Sequence, residues 1–141
     1  MSNQIVTSRR ILSIEDESSI QELITIYLEE MAGWEVLQAS NGLDGLALAK
    51  NEKPDAILLD VMIPELDGIE IFRRLQADPK TQDIPVLFVT SKLKLKDPKN
   101  LLDLSQVKIV SKPFDFEHLA NQIEEELEKI NQNNQANVGV T

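Results

Sequence analysis

The chain contains no cysteine, a single histidine, and no apolar run long enough to span a membrane. The absence of cysteine excludes a disulfide scaffold and a thiolate metal site. Residues 1–10 contain no apolar stretch that resembles a signal peptide. We therefore expect a cytoplasmic protein that does not insert into a membrane.

Positive charge is also scarce, since 14 basic residues face 24 acidic ones and the formal net charge is −10. Such a balance opposes binding to the phosphate backbone of nucleic acids and favours proteins or cations as partners. The lysine-rich stretch 92–99 has no interleaved aromatic residues, which favours a solvated loop. With 141 residues and 42% apolar content, the chain is suited to one domain with a substantial core.

Short apolar strands alternate with segments of helical spacing along most of the sequence. Strands are predicted at 11–14, 35–39, 56–60, 84–89 and 107–110, and helices at about 18–31, 41–50, 68–77, 98–104 and 115–130. This alternation predicts an α/β domain, a doubly wound, five-stranded parallel sheet with helices on both faces. We expect the domain to cover 10–130, between a flexible segment at 1–9 and a disordered polar tail at 131–141.

The spacing of apolar residues also predicts which helical faces are buried. In the first helix the predicted face consists of Ile20, Leu23, Ile24, Tyr27, Leu28 and Met31, and in the second of Leu43, Leu46 and Ala47. Gly33 is the expected stop of the first helix.

The segment 56–60 is an unbroken apolar run that ends in a carboxylate, Asp60. A run without polar alternation is typical of a central strand that is covered on both faces. Because an ionised carboxylate is costly to bury without a partner, we expect Asp60 at the strand's end, facing a crevice. Ligands of open parallel sheets collect at these carboxyl ends.

Other polar residues follow the remaining strands at the same edge, namely Glu15, Asp16, Thr90 and Lys112. Three neighbouring carboxylates repel one another by roughly 4 kcal/mol per pair at an effective dielectric near 20, unless a cation lies between them. Oxygen ligands without His or Cys indicate Mg²⁺ or a similar hard divalent ion. A carboxylate beside such an ion and an ammonium group can attack a phosphoryl group.

Four motifs in this order resemble the receiver domain of bacterial response regulators, over roughly residues 10–130. They are the acidic pair Glu15-Asp16, DVMIPELDG from residue 60, VTS from residue 89 and KPF from residue 112. The resemblance implies a flavodoxin-like fold with strand order 2-1-3-4-5. It also implies that Asp60 accepts phosphate from a phosphohistidine on a sensor histidine kinase or phosphotransfer protein.

The same resemblance implies a role for each site residue. Mg²⁺ would be held by Glu15, Asp16, Asp60 and the backbone carbonyl of Met62. Thr90 would bond the new phosphoryl group, and Lys112 would pair with it. Such a domain is not an enzyme in the usual sense, although it promotes its own phosphorylation and dephosphorylation.

Ile109 stands where many members of the family have Tyr or Phe. It belongs to the face of fourth helix, fifth strand and fifth helix, through which the family binds partners or forms homodimers. We expect a stand-alone receiver that signals to a protein target without contacting nucleic acid directly. The alternative is a pseudo-receiver, an interaction module that no longer takes phosphate.

Two other interpretations are less favoured. A phosphatase-like hydrolase with an aspartyl intermediate would need a second Asp where Met62 stands. His118, on the last predicted helix away from the site, is read as a surface residue and not as a phosphodonor.

Overall fold

The computed structural model describes residues 8–60, 68–91, 108–112 and 118–128. Its sheet consists of β1 Arg10–Ile14, β2 Glu35–Ala39, β3 Ala56–Asp60, β4 Val86–Ser91 and β5 Lys108–Lys112. The strands are parallel and lie in the order β2-β1-β3-β4-β5. This confirms the predicted α/β fold and the strand order implied by the resemblance.

Helices alternate with the first four strands, and a last helix follows β5. They are α1 Ser18–Ile26, extended by a π-helical turn at Tyr27–Met31, then α2 Gly42–Glu52, α3 Gly68–Ala77 and a last helix at 118–128. The helix predicted at 98–104 lies outside the described residues. Among the described helices, none combines the length and apolarity that a membrane crossing requires.

The core has two halves, one on each face of the sheet, and β3 contributes to both. Ile57 and Leu59 belong to the half that α2 and α3 cover, whereas Ala56 and Leu58 belong to the half beneath α1 and the last helix. Successive side chains of a strand point to opposite faces, so a strand covered on both sides needs no polar alternation. The apolar run that ends at Asp60 therefore marks a central strand, as predicted.

The predicted buried face of α1 is correct in its middle and wrong at two positions. Ile24 and Leu28 are 1% and 0% exposed, whereas Leu23 is 37% and Met31 61% exposed. The π-helical turn changes the angular spacing of the residues after Ile26, so Met31 no longer returns to the core face. Gly33 ends the helix with a φ of 72°, which confirms the predicted stop.

The predicted face of α2 is wrong for Leu43, which is 64% exposed, and for Ala47, which is also exposed. Small residues are buried in their place, including Gly45 and Ala49. A Cβ atom on Gly45 would lie 2.5 Å from Cδ1 of Ile14 on β1. The helix thus packs closer to the sheet than a leucine-lined face would permit.

We expect Gly45→Ala to lower the free energy of unfolding by about 1–3 kcal/mol, because the added methyl group overpacks a filled site. Helix propensity alone would favour alanine by about 1 kcal/mol, so the sign of the change separates the two effects. Urea denaturation measures it. Adding Ile14→Val removes the overlapping Cδ1 atom and should recover part of the loss, whereas a Gly45→Ala protein as stable as the wild type would contradict this packing.

Candidate functional site

The carboxyl ends of four neighbouring strands meet at one edge of the sheet. Asp60 is the last residue of β3 and pairs in register with Val89 of β4. One step further along, Thr90 and Ser91 of β4 pair with Ser111 and Lys112 of β5. The backbone therefore brings the strand ends predicted to carry the site together.

Three carboxylates lie close together at this edge. Glu15, Asp16 and Asp60 each offer one oxygen, and these oxygens all lie within 4.8 Å of one another. Glu15 is 2% and Asp60 3% exposed, whereas Asp16 is exposed. Carboxylates this close repel one another, and a cation between them would offset that repulsion.

Two hydrogen bonds fix Glu15 in the turn between β1 and α1. Its N–H donates to the carbonyl of Ala39 on β2 at 3.0 Å. Its Oε2 accepts a hydrogen bond of 3.2 Å from the N–H of Glu17, the N-cap residue of α1. The carboxylate thus lies at the amino end of a helix, where the helix dipole favours negative charge.

The residues of this cluster fit a hard divalent cation. All three ligand groups are carboxylates, the chain has no cysteine, and Asp16 is exposed to solvent. Carboxylate oxygens are the ligands that Mg²⁺ prefers in proteins. The donor set therefore agrees with the predicted metal, and it excludes a thiolate site.

A cavity of about 450 Å³ adjoins the cluster on the side of α1 and β2. Besides Glu15 and Asp16, it is lined by Ser18, Gln21, Glu22, Thr25, Ile26, Gln38 and Ser40. Of the residues that line it, only Ile26 has an apolar side chain. Two of the three clustered acids, Glu15 and Asp16, thus form part of its wall.

The described residues include part of the predicted site. Glu15, Asp16 and Asp60 are brought together, whereas Met62 lies outside the described residues. Thr90 and Lys112 are placed by their backbones at the strand ends, and the roles of their side chains stay predictions. His118 is exposed on the last helix, as its interpretation as a surface residue requires.

Sequence reasoning missed Gln21, a buried polar residue next to the cluster that is 7% exposed. Gln21 lies three and seven residues before Ile24 and Leu28, and thus on the buried face of α1. A glutamine at a core position of a helical pattern is the signal that could have found it.

Residues 11–124 match the family model described as the response regulator receiver domain. The chain belongs to this family. Its expected features agree with the structure: a parallel sheet in the order β2-β1-β3-β4-β5 and an acidic cluster at the carboxyl ends of β1 and β3. The resemblance noted in the sequence motifs is thereby confirmed at the level of the family.

Two relatives illustrate the family. The DNA-binding dual master transcriptional regulator RpaA of Synechocystis sp. is 43% identical over 110 residues, which are 78% of this chain and 45% of the relative. Protein PilH of Pseudomonas aeruginosa is 45% identical over 83 residues, 59% of this chain and 68% of the relative. The chain thus spans less than half of the first regulator and about two thirds of the second.

A solved structure shares both fold and family. It is the receiver domain of a sensor histidine kinase from Pseudomonas aeruginosa, with a magnesium ion coordinated in its active-site cleft. It is 25% identical, has a TM-score of 0.76, and the match covers 86% of this chain and 99% of that one. The response regulator receiver fold therefore extends over most of this chain.

Proposed function

We propose that this receiver domain is a phosphoacceptor in a two-component phosphorelay. It takes a phosphoryl group from a phosphohistidine on a sensor histidine kinase or phosphotransfer protein onto Asp60, and it signals to a protein partner by a change of conformation. The observation that carries the proposal is the buried carboxylate of Asp60 at the end of β3, within 4.8 Å of the carboxylates of Glu15 and Asp16.

The acidic cluster would hold Mg²⁺ through Glu15, Asp16 and Asp60, with the backbone carbonyl of Met62 as a further ligand. Bound there, the ion would neutralise negative charge on the oxygens of the transferred group. The magnesium ion in the related kinase receiver supports this assignment. The three carboxylates, which offer oxygens within 4.8 Å of one another, also support it.

In the transfer step, a carboxylate oxygen of Asp60 attacks the phosphorus atom of the phosphohistidine. The new O–P bond forms as the N–P bond breaks, and the histidine leaves as imidazole after taking a proton. The product is an acyl phosphate on Asp60. Thr90 would donate its hydroxyl to one phosphoryl oxygen, and the ammonium of Lys112 would pair with another.

The burial of Asp60 defines the direction of attack. Only 3% of its surface is exposed, and Asp60 is the last residue of β3, at the edge of the sheet where the strands end. A phosphodonor must therefore approach this edge, and the adjoining cavity leaves room beside α1. Protein–protein contact in the cytoplasm is the expected setting for such an approach.

Incubation with acetyl phosphate and Mg²⁺ tests the proposal. We expect intact-mass spectra to show one added phosphoryl group, which does not form when EDTA is present from the start and which is lost when hydroxylamine cleaves the acyl phosphate. Acetyl phosphate replaces the unidentified kinase, so the test depends on the chain alone. Absence of any adduct, together with no Mg²⁺ binding in calorimetry, would contradict the proposal.

A pseudo-receiver remains the second candidate, because Ile109 occupies the usual aromatic position. Ile109 lies in β5, where it pairs in register with Phe88 of β4. Under this alternative the domain would bind its partner without phosphate. The face around β5 is our candidate for that partner or for a homodimer, and the formal charge of −10 favours a protein over DNA as its direct target.

A further inference from the structure

Gln21 uses the amide nitrogen of its side chain to bind three backbone carbonyls. Nε2 lies 3.1 Å from the oxygen of Ser13, 3.3 Å from that of Glu15 and 3.0 Å from that of Ala39. The side chain points from α1 into the sheet and is 7% exposed. One buried amide therefore links α1 to β1 and β2.

These carbonyls lie where the two strands separate. Ser13 is near the end of β1, Glu15 directly follows it, and Ala39 is the last residue of β2. The oxygen of Ala39 also accepts the N–H of Glu15 at 3.0 Å. The Gln21 amide thus bonds to the last carbonyls of the β1–β2 pair, where the chain leaves β1 and enters the turn that carries Glu15 and Asp16.

The backbone completes a closed set of hydrogen bonds around Glu15. The N–H of Gln21 donates to the carbonyl of Glu17 at 3.0 Å, and the N–H of Glu17 donates to Oε2 of Glu15. The Gln21 amide returns to the carbonyl of Glu15. The Gln21 side chain therefore holds the backbone of this buried acid, and the N-cap residue of the helix that carries Gln21 holds its carboxylate.

Only the donor half of the Gln21 amide is used. Among the described residues, its Oε1 is buried without a hydrogen-bond partner. Buried polar atoms without partners are uncommon and unfavourable, so an apolar side chain of similar size would avoid this penalty. What glutamine offers here that an apolar side chain does not is therefore its pair of N–H donors.

We propose that Gln21 is a positioning residue that fixes the Glu15 carboxylate relative to Asp16 and Asp60. The inference rests on the proposed function, because the value of the arrangement lies in cation binding. Replacing a residue that orients a metal ligand without contacting the metal lowers metal affinity by about 10- to 100-fold. We assign Gln21 to this class, although it touches neither the phosphoryl group nor the metal position.

The test compares Gln21→Met with the wild type in three measurements. Methionine keeps the length of the side chain and removes both donors. We expect Mg²⁺ to bind about 10- to 100-fold more weakly in calorimetry, and we expect the amide hydrogens of Glu15 and Glu17 to exchange faster in the metal-free protein. Thermal unfolding without Mg²⁺ records any general loss of stability separately.

Gln76→Met is the matched control, because Gln76 is an exposed helical glutamine whose amide makes one 3.5 Å contact to Gln82. We expect it to leave Mg²⁺ affinity and the exchange of both amides unchanged. If Gln21→Met does not fold, Gln21→Asn withdraws the amide by one methylene group and serves in the same comparison.

The outcomes separate the inference from the proposed function. A Gln21→Met protein that is less stable but binds Mg²⁺ within about twofold of the wild type would overturn the inference and leave the function intact. A wild-type protein that binds no Mg²⁺ would instead contradict the proposed function. Amide exchange at Glu15 and Glu17 would then decide the inference alone, since faster exchange in the variant supports it and unchanged exchange overturns it.

Discussion

The Asp60→Asn variant is expected to take up no phosphoryl group from acetyl phosphate under conditions that modify the wild type. An amide has no ionised oxygen with which to attack phosphorus, so the loss should be complete. Asparagine has nearly the same shape as aspartate, and it also removes one of three mutually repelling charges. The fold should therefore persist, and the loss of uptake should not reflect unfolding.

Asp83→Asn provides the matched control, since Asp83 is exposed and lies outside the acidic cluster. It should accept phosphate as the wild type does. Circular dichroism and thermal unfolding of both variants establish that they are folded. An adduct that persists in Asp60→Asn at the wild-type level would show that another residue accepts the phosphoryl group.

The Asp16→Asn variant is expected to bind Mg²⁺ on the order of 100-fold more weakly, since it loses one of three carboxylate ligands. Without Mg²⁺, the same variant should be more stable than the wild type by about 1 kcal/mol. The full repulsion at 4.8 Å would be roughly 3.5 kcal/mol per pair at an effective dielectric of 20, and solvent around exposed Asp16 reduces it. Calorimetry and urea denaturation measure the two effects.

Glu17→Gln is the control for this second prediction. Glu17 is exposed and next to Asp16 in the chain, but it does not belong to the cluster. Its neutralisation should change Mg²⁺ affinity far less than that of Asp16. Equal losses in both variants would indicate that general negative charge, and not ligation, attracts the cation.

Tryptophan fluorescence is poorly suited to measuring Mg²⁺ binding here, because Trp34 precedes β2 and therefore lies at the end of the sheet opposite the acidic cluster.

Much of the fold could be predicted from sequence because β3 and its neighbours are apolar without alternation. Such runs are stable only when both faces are covered, which requires a parallel sheet between helices. The buried faces of α1 and α2 were harder to predict. The π-helical turn leaves Met31 exposed, and the close approach of α2 to Ile14 leaves room for Gly45 at the buried face, while Leu43 is exposed. Both effects depend on tertiary contacts that the periodicity of one segment does not contain.

For the site, the sequence identified the residues whose position follows directly from a strand end. Glu15, Asp16 and Asp60 come together because parallel strands end at a common edge. Gln21 was missed because its role depends on a contact from a helix to two separate strands. The predicted roles of Thr90 and Lys112 follow from the family resemblance, and mutation of these residues can test them.

The most direct test of the central claim is to locate the phosphoryl group within the chain. The protein is treated with acetyl phosphate and Mg²⁺, the acyl phosphate is reduced with borohydride to the corresponding alcohol, and peptides are sequenced by mass spectrometry. We predict that the reduced residue is Asp60 and that the product is absent without Mg²⁺. Reduction at another acidic residue, or an unmodified peptide containing Asp60, would contradict the assignment of this carboxylate as the phosphoacceptor.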